Sequence, residues 1–325
     1  MNPRMAASTF QSAYPEPAGP TVADSPPLQA LLDALHTRFG DALQAVVLYG
    51  SCLRSADLFD GLVDLYVLVD DYRSAEPHLL RRLGIRLLPP NVYYVEAPVD
   101  SRTVRCKYAV LSLEALDRGT GPRRFESYLW GRFAQPVKVI YSRTPQVRAR
   151  LHTDFLQAAE TLLRRALPAL PAEGTLDDLW AGALALSYAT ELRTERQGRA
   201  GELAGHGQAF YTVITQALSG RLADCLTLLP PETEAGVYRY RSHVSAPARR
   251  LAPWQWRLRR VLGKLLSVAR LVKGLFTFEG GLDYLAWKLT RHSGQTIEVP
   301  ERVRRRPLIH VWAWGWQLYR RGVFR

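Results

Sequence analysis

The sequence is poor in the residues that hold small disulfide-stapled or zinc-dependent domains together. Its 325 residues include only three cysteines, Cys52, Cys106 and Cys225, and these lack the paired spacing of zinc ligands. An odd number of widely separated cysteines indicates free thiols in a reducing compartment. The seven histidines are also scattered, without the spacing of a metal site. The chain must therefore rely on a hydrophobic core, which its 47% of hydrophobic residues can supply.

Long apolar runs are also missing. No stretch reaches the roughly 20 apolar residues that cross a bilayer, and the most apolar helix candidate, Leu179–Thr190, is too short. Residues 1–27 are rich in Ala, Pro and Ser and have no long apolar centre. They are predicted to form a disordered arm rather than a signal peptide. Any contact of this chain with a bilayer is therefore expected at the membrane surface.

Acidic residues are few relative to basic ones. Lys and Arg number 43 against 30 Asp and Glu, which gives a net charge of +13 and a pI near 9.9. Such a balance fits a protein that binds nucleic acid, an anionic membrane surface or a polyphosphate substrate. The length fits one large domain or two ordinary ones.

The most informative segment follows the first predicted strand. An apolar run leads into Tyr49-Gly50-Ser51, and a second apolar run begins with Asp64. Nucleotidyltransferases of the polymerase-β type build their active site in this way: the Gly-Ser turn holds nucleotide phosphates and the second strand presents carboxylates to Mg²⁺. Positions two apart on a strand share a face, yet the second carboxylate position holds Tyr66. Either the site is inactive or metal binding is completed from elsewhere.

Six further segments follow in an order and spacing that resemble one protein family. They are Val92-Tyr93-Tyr94, Lys107-Tyr108-Ala109-Val110-Leu111-Ser112, Gly131-Arg132, Gln135-Pro136-Val137-Lys138-Val139-Ile140, Leu186-Ser187-Tyr188 and Val272-Lys273-Gly274-Leu275-Phe276-Thr277. From about Tyr49 to about Ser293 the chain resembles the mitochondrial translocator assembly and maintenance family, in a bacterial-type form. Members of that family are peripheral-membrane phosphatidate cytidylyltransferases.

The resemblance implies a set of site residues. In that family one Asp on the second strand is followed by an aromatic or apolar residue, so Tyr66 fits the family pattern. The positions that match family motifs are Gly50, Ser51, Asp64, Lys107, Arg132 and Lys138. The segment from Asp70 to Asn91 is shorter than in the family and lacks its Asn/His-rich motif. This departure affects the expected identity of the acceptor lipid phosphate more than the expected nucleotidyl transfer.

We therefore expect the following roles. Asp64 and Lys107 carry the chemistry, and Asp100, just before the Lys107 strand, is the expected second metal carboxylate, with Glu96 as runner-up. The CTP phosphates are assigned to Tyr49, Gly50, Ser51, Arg132 and Lys138. The lipid head group is assigned to Lys273 and Arg270, which flank a family-like segment. The expected cofactor is Mg²⁺.

The end of the chain combines cations and aromatic residues. Arg304, Arg305 and Arg306 precede a predicted helix that carries Trp312, Trp316 and Tyr319 on one face. Trp and Tyr with flanking Arg are typical of a helix that lies in a membrane interface. The alternative is a terminal helix that packs on the protein's own core or binds another protein. Nucleic acid binding is unlikely, since it would distribute stacking aromatics and cations around a cleft.

The predicted fold is α+β. A polymerase-β-like nucleotidyltransferase domain, a mixed sheet with flanking helices, is followed by a mainly helical domain and an amphipathic C-terminal helix. The expected boundaries are a disordered arm over 1–27, the nucleotidyltransferase domain over 28–145, a helical domain over 146–228, a linker or long loop over 229–252, a basic helical region completing the cleft over 253–300, and a membrane-interface helix over 301–325.

The expected reaction is CTP plus phosphatidate giving CDP-diacylglycerol and pyrophosphate, with Mg²⁺, in phospholipid biosynthesis. The expected location is the cytoplasmic face of a bacterial inner membrane, with the matrix side of the mitochondrial inner membrane as the alternative. Two other interpretations stay open. One is a nucleotidyltransferase that acts on another lipid phosphate, an RNA end, a protein or an aminoglycoside. The other is a catalytically inactive membrane-bound scaffold.

Overall fold

A mixed sheet lies at the centre of the protein. The computed structural model describes residues 14–53, 57–192, 207–231, 236–277 and 297–320, with positions 282, 286, 289 and 290 between the last two ranges. Five strands form the central sheet: β1 Leu43–Tyr49, β2 Val63–Val69, β3 Asn91–Val99, β4 Arg102–Ser112 and β5 Val137–Ser142. Their order is β3-β4-β2-β1-β5, and β2 and β4 run parallel while the other neighbours are antiparallel.

Eleven described helices surround this sheet or follow it. They are α1 Pro26–Phe39, α2 Tyr72–Ala75, α3 Leu79–Leu87, α4 Leu113–Thr120, α5 Tyr128–Phe133, α6 Pro145–Ala166, α7 Leu176–Tyr188, α8 Gln208–Leu222, α9 Ala246–Thr277, α10 Glu301–Arg305 and α11 Pro307–Arg320. Local sequence determines where several of these helices begin. The Thr144 side chain caps α6 ahead of Pro145, and Thr175 and Asp178 form a capping box on α7.

The two faces of the central sheet have different neighbours. Helix α1 packs on one face through its buried leucines Leu28, Leu31 and Leu35. Its periodic apolar spacing predicts this helix, and the structure confirms it with a start two residues earlier. Helices α5 and α6 cover part of the opposite face, where Tyr66 packs against Phe133. That second face also carries Asp64.

The following part of the chain is mainly helical but contains a small second sheet. Helices α6, α7 and α8 pack on one another. Strands β6 Glu173–Thr175, β7 Leu226–Leu229 and β8 Arg239–Ser242 form an antiparallel sheet in the order β6-β8-β7. The prediction of a linker over 229–252 is therefore wrong. Arg239–Ser242 pairs on both sides and α9 begins at Ala246, because a Tyr and Arg alternation that looks like a polar loop is an exposed-buried strand pattern.

The N-terminal arm is also partly ordered. Residues 1–13 lie outside the described part of the chain, but Tyr14 is buried and its hydroxyl donates to Val137 O at 3.1 Å. Glu16 forms an ion pair with Arg148 and a hydrogen bond with His152. The arm is thus bound to β5 and α6 from Tyr14 onward, and low apolar content did not reveal these specific contacts. Among the described residues, no helix is both long enough and apolar enough to cross a membrane.

Candidate functional site

A row of four side chains crosses the exposed part of the second sheet face. Tyr49 lies opposite Asp64, Asp64 opposite Lys107, and Lys107 opposite Tyr94 on four neighbouring strands. Opposed residues point to the same face, and neighbouring strands lie about 4.8 Å apart. The four side chains therefore form a line about 15 Å long, with the charged pair in its middle.

Asp64 and Lys107 form the charged centre of this row. Lys107 Nζ lies 3.1 Å from Asp64 Oδ1, and the two side chains are 33% and 23% exposed respectively. Oδ1 is itself buried and accepts no hydrogen bond of good geometry from the described residues, although the ammonium is close. The contact is therefore an ion pair in which the carboxylate keeps unused acceptor capacity.

The Gly-Ser turn lies against this carboxylate. A short 3₁₀ turn, Gly50–Leu53, follows β1, and Gly50 has φ of 80°. A Cβ at Gly50 would lie 3.5 Å from Asp64 Oδ2, so glycine serves both the backbone conformation and the close approach. Ser51 is exposed, while the buried Cys52 thiol donates to Leu62 O at 3.0 Å and ties the turn to the approach to β2.

The Tyr49 hydroxyl is held in its protonated form. Burial, and after it the neighbouring Tyr66 and Asp64, raises the pKa of Tyr49 well above its usual value. Its ring packs on Tyr66 with centroids 4.6 Å apart. Tyr49 can therefore only present a neutral hydroxyl beside the carboxylate.

The position of the missing second carboxylate is part of the core. Tyr66 is 1% exposed and packs between Tyr49 and Phe133. No group of three or more His, Cys, Asp or Glu suited to a metal occurs among the described residues. A single carboxylate with an unused buried oxygen still fits Mg²⁺, which commonly binds through one or two carboxylates and completes its shell with water and substrate phosphates.

Asp100 does not join Asp64, which corrects its assignment as a second metal ligand. It occupies the two-residue turn between β3 and β4 with φ of 51°, and it is exposed. Five strand positions separate Arg102 from Lys107, which is about 17 Å. The β3–β4 hairpin extends beyond the neighbouring strand, a length that the sequence pattern does not reveal.

The runner-up acid, Glu96, shares the face of the site without reaching its centre. It lies opposite Arg105, one pleat repeat beyond the row. Its carboxylate accepts from the Tyr94 hydroxyl at 2.6 Å and pairs with Arg105 at 3.2 Å. Glu96 therefore positions Tyr94 rather than a metal shared with Asp64.

The structure separates the two outer cations that were assigned to the CTP phosphates. Lys138 lies opposite Leu48, so it points to the sheet face away from Asp64, and its ammonium donates to Gly19 O at 2.6 Å. Arg132 lies on the Asp64 side of the sheet. Only Arg132 remains a candidate for the site.

Arg132 belongs to a partly buried polar cluster beneath the row. Its guanidinium donates to Glu191 at 2.7 Å and stacks on Tyr128 at 4.6 Å. Burial acts to lower the pKa of Arg132, but Tyr128, Tyr66 and Glu191 outweigh it and raise the pKa well above the usual value. It is a fixed cation, and its partner is Glu191.

Arg270 and Lys273, assigned to the lipid head group, both hold the chain in place. Arg270 pairs with Glu126 at 2.6 Å, donates to Pro89 O at 3.0 Å and stacks on Tyr128 at 4.0 Å. Lys273 donates to Leu88 O at 2.5 Å and to Pro90 O at 2.7 Å. Neither cation is free for a head group, because both bind the segment that leads into β3.

The C-terminal residues assigned to membrane contact divide into two groups. Trp312 and Trp316 are exposed on α11, and Arg306 is also exposed. Arg305 pairs with Glu301 at 3.1 Å. The Tyr319 side chain and residues 321–325 lie outside the described part of the chain.

Arg304 lies elsewhere, in the wall of a cavity. That cavity, of about 790 Å³, lies against β3 and is also lined by Tyr94, Glu96 and Arg105. Tyr94 thus belongs both to the four-residue row and to the cavity wall. Sequence reasoning missed Tyr94, Glu126 and Tyr128 as parts of this region; only the Tyr-Tyr pair in β3 gave any signal.

Comparison with known proteins adds little to this geometry. No protein-family model and no curated protein matches the chain. Among solved structures, the crystal structure of a nucleotidyltransferase-like protein from Exiguobacterium sibiricum 255-15 is similar at 10% identity and a TM-score of 0.26. The match covers 66% of this chain and 99% of that one. A likeness of this degree carries no argument, so any function rests on the site itself.

Proposed function

We propose that the chain is a nucleotidyltransferase that transfers the CMP group of CTP to the phosphate of phosphatidate, giving CDP-diacylglycerol and pyrophosphate. The observation that carries the proposal is the contact between the Gly50 turn and Asp64, with Lys107 beside the same carboxylate. A phosphate-binding turn, a carboxylate with an unused oxygen and a cation are the elements that nucleotidyl transfer requires at one place.

The reaction requires positioning of the two substrates and neutralisation of charge, and it does not require a general base. A phosphate monoester has a second pKa near 6, so its oxygen is already anionic at neutral pH. That oxygen attacks the α-phosphorus of CTP, a new phosphorus–oxygen bond forms, and the bond to the bridging oxygen of the leaving pyrophosphate breaks. Charge accumulates on the α-phosphate and on the leaving group, where fixed cations lower the barrier.

Each residue of the site has a role in this proposal. The Ser51 hydroxyl and the backbone N–H groups of the turn bind the β- and γ-phosphates. Lys107 neutralises the triphosphate. Asp64 is the carboxylate that would hold Mg²⁺, and the ion when bound supplies further charge neutralisation at the phosphates. Arg132, fixed by Glu191, contributes a permanent positive charge from below the row.

A membrane-bound acceptor is favoured over RNA by the location of the aromatic residues. Trp312 and Trp316 are exposed together on α11, and the Arg306 that precedes this helix is exposed too. Trp beside Arg at an exposed helix is typical of contact with an anionic lipid surface. We place the protein at the cytoplasmic face of a bacterial membrane.

The test is pyrophosphate release by the purified chain with Mg²⁺, CTP and phosphatidate in detergent micelles, against ATP, GTP and UTP. Asp64→Asn should reduce the rate more than about a hundredfold, because it removes a direct metal ligand. Asp57→Asn is the matched control: Asp57 lies in the connection that leads into β2 and forms an exposed pair with Arg102. It should leave the rate unchanged.

The outcomes separate the competing functions. Release with CTP but without dependence on phosphatidate would show a nucleotidyltransferase with another acceptor. No binding of any nucleotide in the presence of Mg²⁺ would support the inactive scaffold and overturn the proposal. Equal loss in Asp64→Asn and Asp57→Asn would show that the two carboxylates act through folding.

A further inference from the structure

A stripe of apolar side chains on α9 faces solvent. Its members are Leu251, Trp254, Leu258, Val261, Leu265, Val268 and Val272, each between 48% and 68% exposed. They follow each other at alternating steps of three and four residues, so they form one line along a helix. From Leu251 to Val272 the line covers 21 residue steps, or about 32 Å at 1.5 Å per step.

The other side of α9 is fixed to the protein, so the stripe cannot turn inward. The Trp256 indole donates to Arg165 O at 3.1 Å, and the buried Arg259 donates to Phe125 O at 3.1 Å. A Cβ at Gly263 would lie 2.4 Å from Thr190 O, so the helix backbone rests directly on the chain below. The apolar stripe therefore points outward, away from these contacts.

Helix α3 extends the same apolar surface. Leu79, Leu80, Leu83 and Leu87 are between 51% and 83% exposed. Helices α3 and α9 are in contact, with Gly84 next to the Lys273 side chain, which also binds the carbonyls that follow α3. Apolar side chains from two helices thus form one surface, here called the α3–α9 face. Its size exceeds the scattered apolar exposure that is normal for soluble proteins.

The charges around the α3–α9 face have one sign. Helix α9 contains six Arg and two Lys and neither Asp nor Glu, and α3 contains three Arg and no acidic residue. Exposed cations flank the stripe, among them Arg250, Arg257, Arg260 and Lys264. An apolar surface whose own two helices carry cations and no acidic residue is complementary to a partner that is apolar in its interior and anionic at its surface.

A second copy of the chain does not fit this face. In a helix pair joined along a stripe with steps of three and four, the residues that flank the stripe meet those of the partner. In an antiparallel pair Arg257 and Lys264 would then face like charges, and in a parallel pair they would face Leu262 and Ala269, so no carboxylate neutralises them in either orientation. A single acidic partner helix would cover α9 but leave the leucines of α3 exposed. A lipid surface covers both helices.

We infer that the α3–α9 face is the main membrane-docking surface of this protein, binding an anionic lipid bilayer with α9 lying in the interface. The apolar stripe enters the boundary between head groups and acyl chains, and the flanking cations remain at the level of the lipid phosphates. Helix α11 adds a second, smaller contact. Docking requires no nucleotide and no reaction, so its failure and that of the proposed function can be told apart.

The test is co-sedimentation of the full chain with phosphatidylcholine vesicles, with and without phosphatidylglycerol. We expect binding only to the anionic vesicles, and a loss on the order of tenfold or more in Leu258→Glu/Leu265→Glu, because two exposed leucines that enter the bilayer on docking become charged. Val213→Glu/Gly220→Glu on α8 is the control. It adds the same charge at the same spacing on another exposed helix surface and should bind like the wild type.

A third variant, Trp312→Glu/Trp316→Glu, measures the share of α11. Loss of binding in this variant alone would overturn the inference, as would equal loss in the α8 control. Light scattering addresses a second copy: a wild-type dimer that Leu258→Glu/Leu265→Glu converts to monomers would also overturn it. Circular dichroism and melting temperature, unchanged in the exposed-site variants, confirm that the fold is retained.

Discussion

Gly50 and Gly40 have backbone conformations that side chains rarely adopt, yet only one of them lies at the candidate site. Gly50 has φ of 80° and borders Asp64, whereas Gly40 has φ of 50° and has no atom within 4 Å of a built Cβ. Substitutions at these two positions therefore separate the stability cost of a side chain at positive φ from an effect on the candidate site.

We predict that Gly50→Ala and Gly40→Ala each lower the free energy of unfolding by about 1 kcal/mol, since both place a residue that has a Cβ at a backbone φ in the left-handed region. Only Gly50→Ala should also reduce nucleotide binding, because its methyl group lies against the carboxylate of the site. Urea unfolding and CTP titration measure the two effects. Equal CTP affinity in both variants would contradict the role of the turn.

Asp154 is a buried acid away from the candidate site, in the middle of α6. Burial, and after it the nearby Asp117, raises its pKa to about 7, and its Oδ2 lacks a hydrogen-bond partner among the described residues. Between pH 4 and pH 7 the folded state binds this proton more tightly than the unfolded state. Its contribution to stability is therefore fully present below about pH 4 and is lost as pH rises to about 7.

Asp154→Asn should accordingly stabilise the protein at pH 8 by roughly 1 to 3 kcal/mol and have little effect at about pH 4. Asn copies the protonated acid without its charge. Melting temperatures at the two pH values provide the measurement, with the exposed Asp33→Asn as control. A shift of the same size at both pH values would show that burial of charge is not the cause.

At the scale of single elements, α9 depends on one buried ion pair. Arg270 and Glu126 are 12% and 5% exposed and join α9 to the segment before α5. The exposed pair of Glu114 and Arg118 on α4, 69% exposed on both sides, is a natural comparison. Loss of a partner in a buried pair leaves a charge without compensation, whereas surface pairs contribute little.

We expect Glu126→Gln to lower the free energy of unfolding by about 3 kcal/mol, and Glu114→Gln to leave it nearly unchanged. Denaturant unfolding measures both. Arg124, which pairs with the same carboxylate at 2.7 Å, loses its partner too, so a small effect of Glu126→Gln would show that solvent and the remaining contacts of Arg270 compensate for the lost carboxylate.

Elements were predictable from the sequence where local pattern decides them. The strands of the central sheet and helices α1, α6 and α9 follow from apolar periodicity, and Gly50, Asp64 and Lys107 meet as the strand pattern predicts. The side of α9 that faces the protein was not predictable. Periodicity shows which residues share a face but not what covers it, and here Trp256, Arg259 and Gly263 face inward instead of the apolar stripe.

The other wrong predictions share a cause. Each concerns how a segment pairs with other segments, which its own sequence does not show. Asp100 is far from Asp64 because of hairpin length, and Lys138 points away because of its register with Leu48. Strand β8 pairs on one side with the preceding strand β7 and on the other with β6, which lies far away in sequence. The short segment after β2 contains α2 and α3. The exposed leucines of α3 form an extended apolar surface only together with α9.

For the whole molecule, the net charge of +13 predicts how membrane association responds to salt. Each cation near an anionic surface contributes about 1 kcal/mol, and this attraction is screened within about 10 Å at 0.1 M salt. Vesicle binding should therefore fall on the order of tenfold when salt rises from about 0.1 M to about 0.5 M. Binding that is insensitive to salt would indicate apolar insertion alone and contradict a role for the flanking cations.

The close approach at Gly263 determines how far a lipid has to travel. Because α9 rests on Thr190 with no side chain between them, only one helix separates its outward stripe from Glu191 and the Arg132 that Glu191 holds. A helix with its side chains is about 10 Å across. The docked surface and this arginine are therefore at least one helix diameter apart, which is the distance that an acceptor phosphate has to cover around α9 to reach the site.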